Sequence, residues 1–162
     1  MSDQTEAHAG DGAAQIQRIR RLAFAVAWAA GFEDGVALRQ VAVWSRRNLA
    51  RGVTGMLLPT ADGALQMVEG PEEEVIAVLS ATAIDPRVAS ITVIFREWDQ
   101  ARMAPGAGLD VRMPDREVTL FHPAEGGLPP RPRLDAKVRA AELLAEALAR
   151  GPQLGPLPLR LA

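Results

Sequence analysis

The stretch RGVTGMLLPTADGALQMVEG, residues 51–70, constrains the fold more than any other part of the chain. Two apolar runs flank an Asp-Gly pair, Asp62-Gly63, which reads as the tip of a β-hairpin. Along the return run, residues 63–70, Ala64, Gln66 and Val68 alternate with Leu65, Met67 and Glu69, so both faces are almost wholly apolar. Such a strand belongs inside a sheet that is covered on both sides. Gln66 breaks the pattern. Its amide brings two donors and an acceptor oxygen into a buried setting, and each needs a partner from backbone, water or ligand.

The flanking sequence supplies the other elements. RRLAFAVAW, residues 20–28, alternates with period two: Leu22, Phe24, Val26 and Trp28 share one face, and Ala23, Ala25 and Ala27 the other. From Gly35 to Ala50 the spacing turns helical, with Asp34 as N-cap and Leu38, Val41, Ala42, Ser45 and Leu49 in one stripe. Pro71 and the acidic run Glu72-Glu73-Glu74 suit the first turn of a second helix, whose inner face is Val75, Val78, Leu79 and Thr82. Residues 88–98, VASITVIFREW, are β-branched and long enough for a further strand. The order β-α-β-β-α-β predicts an α+β, ferredoxin-like fold: an antiparallel sheet with two helices on one face.

Residues 109–113 or 117–121 are expected to add a fifth strand. The first 15 residues read as a flexible tail, 16–122 as the domain, and 123–133 as a Pro/Gly linker. Residues 134–151 form a C-terminal amphipathic helix with Leu134, Val138, Ala141, Ala145 and Leu148 on one face, and 152–162 a second tail. That helix is expected to cover the open face of the sheet or to pair with a second copy in a homodimer.

Composition narrows the function. The formal charge is −2, with 18 basic and 20 acidic residues, so no basic excess is present to hold a nucleic-acid backbone. There is no cysteine, and the two histidines, His8 and His122, are far apart, which argues against a metal centre. No apolar run is long enough to span a membrane and no signal-peptide pattern opens the chain, so a soluble cytoplasmic protein is expected. Paired carboxylates and a nucleophile with a base are lacking, so the inventory does not suit an enzyme. Tyrosine is absent altogether.

In their order and spacing, several motifs resemble those of BLUF domains, the flavin-based blue-light sensors. These are Ser45-Arg46-x-Asn48, Gly52-Val53-Thr54-Gly55, Gln66 on the hairpin's return strand, Val68-Glu69-Gly70 and Asp85-Pro86-Arg87. The resemblance covers residues 19–98 and thins out through Met113. It implies that two helices hold the isoalloxazine ring of FAD against the sheet, with Asn48 at the flavin's polar edge and Gln66 facing C4=O and N5. Arg87 and Arg47 would stand near the pocket mouth and the phosphates, and Phe24 and Met113 complete the implied cofactor-binding set. A flat ring with a polar rim suits a slot with a few aimed amides.

The departures from the family pattern are specific. Phe24 stands where the family carries its photoactive tyrosine, and Val26 where it carries a serine or another small polar residue. Trp28, roughly 13 Å beyond Phe24 at about 3.3 Å per residue, is too far along the strand to replace that hydroxyl. The family's histidine after Asp-x-Arg is Val88. Its Arg-x-Phe and Trp-x-Met signals are reduced to Arg102 and Val111-Arg112-Met113, around an inserted MAPGAG. The resemblance therefore implies a flavin-binding sensory protein with an impaired blue-light photocycle, or a flavin-free relative that acts through a regulatory protein partner.

Overall fold

The computed structural model describes residues 18–32 and 34–152, with only the backbone for Asp34–Leu38. The expected terminal tail 1–15, most of the tail after 151, His8, the Asp34 cap and the Leu38 side chain lie outside the described residues.

The elements follow the expected order. β1 (Ile19–Trp28), α1 (Asp34–Ala50), β2 (Thr54–Thr60), β3 (Gly63–Gly70), α2 (Glu72–Ala83) and β4 (Val88–Asp99) make the β-α-β-β-α-β core. β5 (Asp110–Val111) extends the sheet, which has the order β4-β1-β3-β2-β5. The first four strands are antiparallel neighbours, while β5 runs parallel to β2, so the sheet is mixed. The added strand comes from the 109–113 option. Residues 117–121 instead lead into a two-stranded ribbon of β6 (Phe121–His122) and β7 (Arg131–Pro132), and α3 (Ala136–Arg150) closes the described chain.

Period two sets the two faces of the sheet. Leu22, Phe24, Val26, Leu57, Ala64 and Val68 point toward α1 and α2 and join Val41 and Val75 in one apolar cluster. Ala23, Ala25, Ala27, Met56, Leu65 and Met67 point the other way, where Ala136, Ala140, Leu143, Leu144 and Ala147 of α3 cover them. β3 is buried at every position, as a two-sided apolar strand requires.

Three local expectations are corrected. The hairpin turns at Ala61-Asp62, not at Asp62-Gly63. Gly63 instead pairs with Ala27 of β1, and a Cβ there would fall 1.7 Å from the Val26 carbonyl oxygen, so its role is close backbone approach. The inner side of α1 is turned from the apolar stripe: Ala42 and Leu49 are exposed, whereas Val41 and Asn48 are buried. That side borders a cavity and a crossing loop, so polar residues occupy it and the apolar period misleads. In α3, too, the phase differs. Leu134 and Val138 are 105% and 63% exposed, and the buried residues are mostly alanines on the opposite side. Apolar residues lie on two sides of this helix, and Leu143 and Leu144, which are not part of the expected stripe, mark the inner one.

Residues 100–113 cross the β2 edge as a strap. Ala104 is planted in the α3-side core and Leu109 in the core beneath α1 and α2. A buried charge network fixes its start. Arg21 and Glu69 face each other across β1 and β3 and are 1% and 0% exposed; Arg21 Nε donates to Glu69 at 2.6 Å. Glu69 also accepts from the backbone N–H groups of Met103 and Ala104 at 2.9 Å, while Arg21 reaches Glu97, Asp99 and the Ala101 carbonyl. Burial alone would lower the pKa of Arg21, but the carboxylates of Glu97, Glu69 and Asp99 outweigh it and hold the guanidinium charged, well above its ordinary range. Glu69 is thus an anchor for the strap rather than merely a residue before a helix.

Candidate functional site

A slot of about 240 Å³ opens between α1 and α2 above the sheet. It is smaller than the roughly 300–1,000 Å³ that encloses a drug-sized ligand. It therefore matches a ring system rather than a whole dinucleotide, whose remainder would lie outside. Gln66 forms part of the slot lining from β3, Trp44, Arg47, Asn48 and Arg51 from α1, and Val78 and Thr82 from α2. Spacings of three and four residues put positions 44, 47, 48 and 51 on one side of α1. Trp28 at the end of β1, Leu109 from the strap, and Asp85, Arg87 and Val88 after α2 complete it.

The polar residues of the slot differ in how far the protein satisfies them. Gln66 is 7% exposed as a residue, and among the described residues its side-chain amide has no hydrogen-bond partner. Its amide atoms keep contact with the open cavity, since Arg133 Nε is the one fully buried, unpartnered side-chain nitrogen or oxygen among those residues. Sealed under a ring without a partner, such an amide would cost about 1–3 kcal/mol. Asn48, equally buried, donates from Nδ2 to the Gly108 carbonyl at 2.9 Å and so ties α1 to the strap. The strap lies tight against the helix: a Cβ on Gly108 would come 1.9 Å from the Ser45 carbonyl oxygen, and Ser45 Oγ accepts from Leu109 N at 3.0 Å.

Arg87 is held by Asp85 through two bonds, Nε to Oδ1 at 2.8 Å and Nη2 to Oδ2 at 2.5 Å. This bonding keeps the Asp85 carboxyl below its ordinary 3.8 and raises Arg87. The guanidinium lies 5.3 Å from the Trp44 ring centroid and 5.9 Å from that of Phe32, a cation–π arrangement at the rim. Arg47 and Arg51 are exposed, Arg51 with Glu74 3.7 Å from its Nε, so with Arg87 three guanidinium groups stand around the slot, two of them already paired with carboxylates.

The structure thus brings Asn48, Gln66, Arg87 and Arg47 together and leaves two expected residues out of the lining. Phe24 is the direct cross-strand neighbour of Gln66, but its ring is fully buried in the apolar cluster. Met113 is half-exposed beyond β5, away from the slot. Trp28 lines the same cavity as Gln66, on the sheet face that the alternation of β1 gives it together with Phe24. Its ring meets Phe32 edge to face, with centroids 5.0 Å apart. Trp44, Thr82, Asp85 and Leu109 are further lining residues. Of these, Trp44 was discoverable from its helical spacing to Asn48, whereas Leu109 depends on the path of the strap.

No helix among the described residues is long and apolar enough to cross a membrane, and no cluster among them could hold a metal ion.

Comparison with known proteins agrees with this geometry. Residues 21–106 match the family model described as BLUF, sensors of blue light using FAD. Over 83 residues the chain is 35% identical to the blue light- and temperature-regulated antirepressor BluF of Escherichia coli K12, a match spanning 49% of this chain and 21% of that relative's length. Among solved structures, the dark state of the BLUF protein BlrB aligns with a TM-score of 0.54 at 25% identity, over 60% of this chain and 74% of the other. A bacterial light-regulated adenylyl cyclase aligns over 82% of this chain and 35% of its own, with a TM-score of 0.56. At 18% identity that likeness concerns the fold alone.

Proposed function

Because the chain belongs to the BLUF domains, sensors of blue light using FAD, we propose that the slot receives the flavin ring and that the blue-light photocycle is impaired. The observation carrying this reading is the Gln66 amide, which has no partner among the described residues and opens onto a ring-sized cavity from an otherwise apolar, buried strand. Gln66 and Asn48 would meet the polar edge of the ring, and Trp28, Trp44, Val78 and Leu109 its apolar faces. Arg47, Arg51 and Arg87 would meet the phosphates. When bound, the flavin supplies blue-light absorption and a redox-active ring.

The impairment follows from the residues beneath Gln66. Phe24 lies directly across from it, and Val26 pairs with Ala64 further along the same face. Neither has a hydroxyl to orient the amide or donate a proton, and a phenyl ring is far harder to oxidise than a phenol. Sensing would then act through a regulatory protein partner, with weak light control or none.

The test is the spectrum of the purified protein after loading with FAD. A yellow protein whose absorption does not red-shift under blue light is the expected result, and Phe24→Tyr with Val26→Ser is expected to create the shift. A normal red shift in the unaltered protein would overturn the impairment. A double mutant that holds flavin without responding would count against the role given to positions 24 and 26. Failure to take up FAD would favour a second reading, a flavin-free interaction module. Two observations support that alternative: Asn48 already donates to Gly108, and Arg87 Nε and Nη2 already bond Asp85.

A further inference from the structure

The outward side of α3 is apolar in its own right. Val138, Ala141 and Ala145 are exposed, Leu148 continues the line partly buried, and Leu134 stands fully exposed just before the helix. Within the helix the spacing from 138 to 148 is three, four, three, the a/d pattern of a coiled-coil seam, and Leu134 lies in the turn four residues before Val138. The buried residues 136, 140, 143, 144 and 147 face the sheet, and Leu148 also packs against that core, so the free part of the seam is Val138, Ala141 and Ala145 with Leu134 before them. We infer that this seam is a self-association surface and that its occupant is α3 of a second copy of this chain, packed in parallel across a two-fold axis.

Charge selects the occupant and its direction. With Val138 and Ala145 at the a positions, Lys137 falls at g and Glu142 at e, one on each side of the seam. Both are exposed, and neither has an ion-pair partner among the described residues. In a parallel pair, g of one helix faces e of the next heptad on its partner, so Lys137 meets Glu142 twice, once in each direction. In an antiparallel pair centred on the seam, Glu142 would face its own copy, a like-charge contact. Ala141 and Ala145 let the helix axes come close, while Val138 and Leu134 supply apolar area. A free helix of this length would be marginal in water. Here α3 is already held by its other side, so pairing carries no cost of forming it.

The experiment is sedimentation velocity on the full chain over a concentration series, with circular dichroism to verify folding. The unaltered protein is expected to show a concentration-dependent dimer. Val138→Asp is expected to raise its dissociation constant at least about tenfold without changing the spectrum, since the side chain is exposed. Lys137→Glu and Glu142→Lys should each weaken the dimer, and the two together should restore it. A monomer at every concentration up to the solubility limit would overturn the proposal and leave the seam to a different protein. A dimer indifferent to Val138→Asp would place the interface elsewhere. Charge reversals that weaken association singly but do not recover in combination would overturn the parallel arrangement.

Discussion

At the scale of single residues, Gln66 concentrates the tension in this molecule. Its neighbours across β3 are apolar, the residue as a whole is buried, and its polar atoms border the slot. Ligand-free stability and ligand retention should therefore respond unequally to its removal. Gln66→Leu is expected to change the stability of the flavin-free protein by less than about 1 kcal/mol, because the amide atoms keep contact with the open slot. The same change should weaken FAD retention, read as faster loss of flavin absorbance on dilution. Loss of stability in the flavin-free variant would show that the amide has a protein partner. The sequence signals this residue clearly, because one amide in an otherwise apolar strand stands out. It does not signal Leu109, whose place depends on a loop folding around a sheet edge and has no period to read.

Among the elements, strands were more legible than helices. A strand shows its two faces by simple alternation, and β1 and β3 distribute their side chains as that alternation demands. A helix shows its inner face only where apolar and polar sides contrast. α1 lines a cavity with Trp44, Arg47 and Asn48, and α3 is apolar on two sides, so in both the strongest apolar stripe is not the buried one. The strap was not legible as an element at all. The start of the strap is held electrostatically at Glu69, which serves Arg21 and two backbone N–H groups, while Ala104, Leu109 and the pairing of β5 with β2 hold the rest. Glu69→Ala is expected to destabilise the protein by about 3–5 kcal/mol, since the guanidinium would remain buried without its closest partner. Replacing both Arg21 and Glu69 by apolar residues of similar size should cost less than Glu69→Ala alone. Chemical denaturation of the single and double variants measures both, and additive losses would argue against a coupled pair.

Across the whole molecule, the sheet lies between two covers of unlike character. α1 and α2 leave a slot, whereas Ala136, Ala140, Leu143, Leu144 and Ala147 of α3 join Ala23, Ala25 and Ala27 in one continuous apolar layer. The distinction predicts where truncation is costly. Leu144→Ala is expected to cost about 2–5 kcal/mol, the range for a large-to-small change in a packed core. Leu134→Ala should stay within about 0.5 kcal/mol in dilute solution, as exposed substitutions do. Equal effects in thermal or denaturant melts would mean that α3 sits on the sheet by its other side. Arg112 reinforces this cover, since its Nη1 donates to the Ala147 carbonyl at 2.8 Å while its backbone N–H bonds the Leu57 carbonyl of β2.

The position of α3 in the chain has a consequence for biogenesis. All four long strands are complete by Asp99, yet the helix that shields one side of them ends only at Arg150. A ribosome adding roughly 5–20 residues per second needs about 3–10 s for that remaining stretch. For those seconds a nascent sheet displays a bare layer of alanine, leucine and methionine to the cell, and chaperones have an obvious place to hold it.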